Sequence, residues 1–115
     1  MNIEEIREYC LSKKVVTESF PFDDTALVMK VLDKMFALIN IYGDLRINLK
    51  CNPEKAIELR EQFTSVKPGF HMNKKHWNTV EINGSVSSDN IKEWIDDSYN
   101  LVVSKMTKKQ KEMLS

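Results

Sequence analysis

The fold is decided by residues 26–51, which read ALVMKVLDKMFALINIYGDLRINLKC. The stretch contains three short segments rich in apolar and β-branched residues, and each segment has the length of one strand. Turn-forming residues separate the segments at 32–34 and at Tyr42-Gly43-Asp44. We therefore predict three consecutive strands, residues 26–31, 35–41 and 45–51, with no helix between them.

The third of these segments alternates strictly between apolar and polar side chains. Its apolar positions are Leu45, Ile47, Leu49 and Cys51, and its polar positions are Arg46, Asn48 and Lys50. Successive side chains of a strand point to opposite faces of the sheet. The pattern predicts one dry face and one solvent-facing side.

Helices are predicted on both sides of this run of strands. Asn2 can cap a first helix that ends near Ser12, and Asn52 followed by Pro53 is a strong start for a second. Ser87 or Ser88 can cap a long last helix that ends near Met106. The lysine-rich remainder is expected to be a frayed tail.

The remaining segments add strands. Residues 15–19 are rich in β-formers, and 76–82 alternate like a strand. An extended stretch after Gly69, continuing to Met72, and a turn at 73–75 would complete a second hairpin. Because the strands cluster rather than alternate with helices, we predict one α+β domain over residues 1–115, an antiparallel sheet with hairpins packed against N-terminal, middle and C-terminal helices.

Composition restricts the function. The chain has 17 basic and 17 acidic side chains, so a strong grip on nucleic acid cannot come from net charge and must come from a local patch. Apolar runs such as 35–39 are far shorter than the roughly 20 residues that span a bilayer, and the acidic start is unlike a secretory signal. We expect a monomer in the cytoplasm that does not enter a membrane.

No arrangement for catalysis is visible. Cys10 and Cys51 are 41 positions apart, and a structural zinc site needs about four N or S ligands, which His71 and His76 do not supply. The three glycines are isolated, so no loop of the P-loop kind can cradle a nucleotide. We expect no enzyme, no metal and no cofactor.

The most promising functional segment is 65–80, which holds three lysines and no acidic residue. A hairpin tip with this composition can contact phosphates, while an adjacent aromatic ring offers a stacking face. Arg46 and Lys50 lie on the polar face of their strand and would extend the patch. The predicted DNA-contacting residues are Arg46, Lys50, Lys67, Asn73, Lys74, Lys75, His76 and Trp77.

Two other interpretations stay open. The lysines can simply keep a hairpin tip solvated while Trp77 belongs to the core. Alternatively, Trp77, Phe70 and Met72 line an apolar groove of a protein-interaction or small-ligand domain. Lys105, Lys108, Lys109 and Lys111 form a second basic cluster, which we expect to be solubilising.

Four stretches together resemble the MmcQ/YjbR family, and they follow the family's order. They are Pro21-Phe22 with 28–31 and 34–37, then Leu49-Lys50-Cys51 with Pro53, then 68–80 (PGFHMNKKHWNTV), then Asp97-Ser98-Tyr99. One departure is Asp33, where the family usually has a glycine. Asp tolerates the positive φ of such a turn better than most residues.

The resemblance implies a CyaY-like fold, named after the bacterial frataxins, and a double-wing arrangement of two projecting hairpins through which DNA binding has been suggested. Fold comparison alone is only an associational argument for function. Frataxins also bind iron through an acidic first helix. Here Glu4, Glu5 and Glu8 are offset by Arg7, Lys13 and Lys14, which makes iron a distant third interpretation.

Overall fold

The computed structural model describes residues 1–115 and contains a six-stranded antiparallel sheet with the strand order β1-β2-β3-β4-β6-β5. Four helices accompany the sheet. The elements are α1 (Ile3–Leu11), β1 (Val16–Ser19), β2 (Ala26–Val31), β3 (Lys34–Asn40), β4 (Arg46–Lys50), α2 (Pro53–Gln62), β5 (Val66–Pro68), β6 (Trp77–Glu81), α3 (Ser88–Ser104) and α4 (Lys108–Glu112). The predicted α+β class is confirmed.

One face of the sheet forms the core. The strand register aligns Leu27, Ile39, Ile47, Val80 and Val66 across five strands, and all of them are buried. The helices cover this face with apolar stripes that join the same cluster: Ile6 and Cys10 from α1, Ala56 and Leu59 from α2, and Ile91, Trp94, Ile95 and Val102 from α3. This burial is the main stabilising contribution.

Helix starts follow the predicted caps. The Asn2 side chain accepts from the Glu5 amide while Glu5 reaches back to the Asn2 amide, which forms a capping box. Asn52 accepts from the Glu54 amide directly before the proline of α2. Of the two serines proposed for the last helix, Ser87 is the cap.

The turn between β2 and β3 has positive φ at both central residues, 45° at Leu32 and 66° at Asp33. Two such residues match the right-handed twist of a hairpin. Asp33 therefore adopts the positive φ of this turn although it is not a glycine.

The fifth strand lies earlier than predicted. β5 is Val66–Pro68, and residues 69–76 form a loop instead of an extended stretch to Met72. One further backbone bond follows the last pair of β5 and β6, from the Gly69 amide to the Trp77 carbonyl at 2.9 Å. A Cβ there would lie 2.8 Å from the Trp77 Cβ, so the chain approaches too closely for any other residue.

The C-terminal segment is also more ordered than predicted. Thr107 caps α4, and its hydroxyl and the Gln110 side chain form a second capping box. Met106 is buried and Leu114 packs against the core. The frayed tail was therefore a wrong prediction, because two apolar anchors flank the lysines. None of the four helices combines the length and apolar character needed to cross a bilayer.

Candidate functional site

The second face of the sheet carries no helix. Two loops, residues 20–25 and 69–76, flank it and leave a concave space of about 380 Å³ between them, which we call the open-face cleft. Its floor consists of side chains from β2, β3, β4 and β6. A cavity of this size, open to solvent and lined by both apolar and polar groups, has the dimensions of a small-molecule site.

Six of the thirteen lining residues of the cleft are apolar; the polar ones include the carboxylate of Asp23, whose Oδ1 accepts hydrogen bonds from Thr25 and from the Ala26 amide. Met35 and Leu38 form part of the floor, and Phe22, Phe70 and Met72 project from the flanking loops. Phe22 is 73% exposed and Phe70 is 53% exposed, which is unusual for side chains of this size. The loops thus hold aromatic surface at the rim that a ligand would cover.

Arg46 is the cation of the cleft. Its guanidinium carbon lies 5.3 Å from the centroid of the Phe70 ring. Glu81, the cross-strand neighbour of Arg46, forms its ion pair with Lys67, at 2.5 Å, and not with Arg46. Arg46 takes part in none of the four ion pairs of the structure. The guanidinium is therefore available to an anionic group in the cleft.

A buried polar network fixes the rim loop to the floor. Thr79 donates to Asn48 Oδ1, the Phe70 amide donates to Thr79 Oγ1 at 2.8 Å, and Asn48 Nδ2 makes a long contact of 3.5 Å with the Phe70 carbonyl. Asn48 and Thr79 are both buried. The predicted solvent-facing side of β4 is therefore covered at Asn48, because residues 69–76 fold over it.

Arg60 holds the same loop from the opposite side. It projects from α2, its Nε donates to Asn78 Oδ1 at 2.7 Å, and its Nη2 donates to the carbonyls of Lys74 and Trp77. One guanidinium thus donates to three acceptors, and hydrogen bonds from a charged donor are stronger than those between neutral groups. We therefore expect the position of the Phe70 rim to depend on these Arg60 hydrogen bonds, which we call the clasp.

His71 has a strained backbone next to the rim aromatic. Its φ is 58°, and its ring centroid lies 4.2 Å from that of Phe70. Left-handed backbone at a residue other than glycine is concentrated at binding sites and switch regions. The strain places two adjacent rings at the mouth of the cleft.

The structure commits part of the predicted basic patch to internal bonds. Lys67 is paired with Glu81, and Lys74 Nζ donates to the Gly69 carbonyl at 3.0 Å. Asn73 Oδ1 accepts from the amides of Lys75 and His76, so this amide shapes its own turn. Lys75 is exposed at the loop tip and makes no ion pair.

The other predicted residues lie elsewhere. Lys50 and His76 line a hollow at the end of the sheet together with Lys105, and Trp77 is the half-buried cross-strand partner of Lys50. Arg46 faces the cleft. The eight predicted residues thus divide among three places: the cleft, the 69–76 loop with neighbouring Lys67, and the end of the sheet.

The two thiols are buried and protonated. Burial raises the pKa of Cys10 to about 12 and also raises the pKa of Cys51. A nucleophilic cysteine needs the opposite shift. No three His, Cys, Asp or Glu side chains lie close enough together to share a metal ion.

A six-stranded antiparallel sheet with helices on one face and a loop-rimmed cleft on the other defines a class of small α+β domains. Residues 11–101 match the family model described as YjbR. The chain belongs to the YjbR family.

Named relatives match along nearly their whole length. Escherichia coli K12 protein YjbR, described as uncharacterised, is 34% identical over 115 residues, which cover 99% of this chain and 98% of the relative. YbdF of E. coli O157:H7, with the same description, is 36% identical over 107 residues, covering 92% and 88%.

Solved structures have the same fold. The crystal structure of Deinococcus radiodurans protein DR2400 superposes with a TM-score of 0.92 at 42% identity and covers 98% of this chain and 87% of that one. A crystal structure of a Pseudomonas syringae protein gives a TM-score of 0.78 at 30% identity, with 88% and 98% covered.

The sequence interpretation missed most of the cleft. Phe70 and Met72 were proposed for an apolar groove and do line one, while Trp77 is absent from the lining. Leu38, Thr79 and Phe22 were not singled out, and neither was Arg60. The signal available in the sequence was that two phenylalanines each follow a turn-forming residue, Phe22 after Pro21 and Phe70 after Gly69.

Proposed function

We propose that this protein is a non-catalytic binding module whose open-face cleft holds a small amphipathic anion. The observation that carries the proposal is Arg46, a cation without an ion-pair partner on the floor of a cleft with apolar rim residues. The one carboxylate in the lining, Asp23, directs Oδ1 to Thr25 and to the Ala26 amide. A carboxylate or similar group would meet the guanidinium, and a flat apolar body would lie against the Phe70 side of the cleft.

The apolar part of the ligand has three surfaces to cover. Met35 and Leu38 present aliphatic and thioether surface from the floor, and Phe70 presents its ring from the rim. Burying apolar area contributes about 25 cal/mol per Å², so a ring-sized group gains more here than a polar one. The walls thus favour aromatic or branched apolar bodies.

The polar part of the floor supports selectivity. Asn40 donates its Nδ2 to the Tyr42 carbonyl, which orients the amide, and Asn48 is locked by Thr79. Arg46 is the cross-strand partner of Asn40 and lies two residues before Asn48 on β4, and it forms no ion pair. A site in which fixed amides surround one free cation discriminates by charge and shape.

We propose a non-catalytic module in part because neither cysteine has the lowered pKa of a nucleophilic thiol. Cys10 belongs to the core, and both cysteines have raised pKa values because they are buried. Neither lines the cleft. We also infer a cytoplasmic location, since free thiols are typical of reducing compartments, and a monomeric state.

Amide proton–nitrogen NMR spectra test the assignment of the cleft. Titration with naphthoate is expected to shift the amides of Arg46, Phe70 and Thr79 and to leave those of α1 unchanged. Phe70→Ala should weaken the binding about tenfold, and the matched rim variant Tyr42→Ala, outside the cleft lining, should not. Shifts confined to other surfaces, or none at millimolar naphthoate, would exclude the cleft as the site.

A second candidate function is nucleic-acid binding by the 69–76 loop. It is favoured by Lys75 and the exposed Lys74 at the loop tip, where no ion pair forms. Glu81 neutralises Lys67, which leaves fewer free cations than the sequence predicted. Lys74→Glu with Lys75→Glu should lower duplex DNA affinity and flatten its salt dependence; an unchanged affinity and slope would exclude the loop as a contact.

A further inference from the structure

We propose a second, independent site: a phosphate-binding groove where the C-terminal end of α3 crosses the end of the sheet. Three lysines from three elements line it, Lys34 of β3, Lys50 of β4 and Lys105 directly after α3. His76 lies at one side. No residue of this end groove lines the open-face cleft except Met35.

The groove consists of two hollows of about 460 and 250 Å³ that share Lys50 and Lys105. Neither hollow has a carboxylate in its lining. The only charged side chains that border the space are therefore lysines, beside neutral polar residues such as Asn52 and apolar ones. Like charges that face one space repel each other, and a bound polyanion relieves that repulsion.

The fold creates the gap by separating two strands. Pairing between β3 and β4 ends at Ala37 and Leu49. Beyond that pair the buried Ser98 hydroxyl of α3 replaces the ladder bond, donating to the Phe36 carbonyl at 2.5 Å and accepting from the Lys50 amide at 2.9 Å. The helix is thus fixed against the end of the sheet, beside the three lysines.

The three ammonium groups are uncommitted. The four ion pairs of the structure engage Arg7, Lys13, Lys55 and Lys67. A neighbouring hollow does contain the carboxylate of Asp97, but that group bonds to Lys55 at 3.0 Å. The groove therefore keeps its full positive charge for a ligand.

Stabilisation of helix α3 does not by itself explain why three lysines lie together at this groove. A lysine at the C-terminal end of α3 would be favoured by the helix dipole, which accounts for Lys105 alone. Lys34 and Lys50 belong to strands, and neither ammonium group forms a hydrogen bond with a carbonyl at the end of α3. Their convergence on the same space indicates an anionic ligand.

Phosphate matches the donors better than a carboxylate does. Each ammonium group offers three rotatable donors, and three such groups suit the several oxygens of a phosphate. The basic surface continues in sequence onto α4, which carries Lys108, Lys109 and Lys111. Linked phosphates are therefore the expected ligand class, either free pyrophosphate or the backbone of a nucleic acid.

Calorimetric titration with pyrophosphate and anisotropy titration with a labelled single-stranded oligonucleotide, both at low salt, test the proposal. The double variant Lys50→Gln with Lys105→Gln should weaken pyrophosphate binding about tenfold or more. Lys92→Gln is the control, since it lies 13 residues, about 20 Å, before Lys105 along α3. Lys34→Gln, exposed at the start of β3, should give a smaller loss in the same direction.

The outcomes separate the sources and the sites. If the protein binds pyrophosphate but not the oligonucleotide, the groove is a site for small phosphates. If it binds both, and the affinity for the oligonucleotide falls steeply with salt, the groove is a site for a nucleic-acid backbone. Failure of both probes, or binding that the lysine double variant leaves unchanged, overturns the proposal. Naphthoate binding at the cleft should persist in that double variant, which verifies its folding and separates the two sites.

Discussion

Arg46 and Phe70 face each other across the open side of the sheet, with the guanidinium carbon 5.3 Å from the ring centroid. The arginine comes from a central strand and the ring from a loop 24 positions later in the chain. Their approach makes the cleft both charged and aromatic. Arg60 and Gly69 hold the loop that carries Phe70, and the first two predictions concern them; the next two concern the stability of the rest of the domain, and the last concerns the use of the cleft.

Arg60→Ala is expected to loosen the rim of the cleft. The change removes hydrogen bonds to Asn78 and to the carbonyls of Lys74 and Trp77. Losing a charged donor to the buried Asn78 side chain and to two more exposed carbonyls lowers the free energy of unfolding by about 1–2 kcal/mol. Denaturant unfolding measures the loss, and hydrogen exchange should show faster exchange of the Phe70 and Gly69 amides.

The control for the clasp is Arg7→Ala, which removes an arginine paired with Glu18 at the surface. It should change stability less than Arg60→Ala and leave exchange in the 69–76 loop unaffected. Equal exchange rates in wild type and Arg60→Ala would show that the clasp does not hold the loop.

Gly69→Ala is expected to displace the same loop by steric conflict. The new Cβ would lie 2.8 Å from the Trp77 Cβ and 2.9 Å from its carbonyl oxygen. Overpacking of this kind typically costs about 1–3 kcal/mol. Thermal unfolding should show a clear fall in Tm, and naphthoate titration should show weaker binding. Gly43→Asn, at a turn position with φ 73° and no atom within 4 Å of the new Cβ, should lose less, because asparagine tolerates positive φ better than most residues. A wild-type Tm for Gly69→Ala would contradict the close approach.

Val15→Asn is expected to stabilise the protein. Val15 has φ 56°, a conformation that β-branched residues strongly disfavour, and it is 48% exposed, so little burial is lost. Asparagine tolerates this backbone, and the gain is about 1 kcal/mol. Urea unfolding measures the change in the free energy of unfolding. The control is Thr17→Asn, because Thr17 is exposed in β1 and has no positive φ. A loss in both variants would disprove the strain.

Tyr9 makes stability fall at alkaline pH. Its hydroxyl donates to Asp96 at 2.7 Å, and this hydrogen bond raises the pKa of Tyr9 from 10.0 to about 12. The folded state thus holds the phenolic proton more tightly than the unfolded state. The contribution is complete below about pH 10 and is lost as the pH rises toward 12.

Urea unfolding of wild type and Tyr9→Phe between pH 8 and pH 11 measures that contribution. The stability advantage of the wild type should be constant up to about pH 10 and shrink above it. Cys10, whose pKa is also raised to about 12, titrates in both proteins and cancels in the difference. A difference that does not vary with pH would rule out the Tyr9–Asp96 bond as the source.

The sequence predicted those parts of the fold that local chemistry controls. Alternation at Ile47 and Leu49 gave the buried face of β4, and Asn52 before Pro53 gave the start of α2. The Thr107 capping box was an equally local signal, but it was obscured by the surrounding lysines. The tail prediction failed because composition was weighed above spacing.

The site depended on register and loop paths, which a sequence does not reveal. Lys67 lies opposite Thr79, so its partner Glu81 becomes evident only when β5 and β6 are aligned. Asn48 was assigned to solvent and is buried by a loop from elsewhere in the chain. The cations predicted to form one patch were therefore distributed over three places.

The central claim is that Arg46 selects an anion in the open-face cleft, and a comparison of naphthoate with neutral naphthalenemethanol tests it most directly. Calorimetric titration of the wild type should give at least about tenfold tighter binding of naphthoate, or about 1.4 kcal/mol. In Arg46→Met the two affinities should become equal, while Lys92→Met keeps the wild-type preference. Equal affinities in the wild type, or a preference that survives in Arg46→Met, would contradict the account.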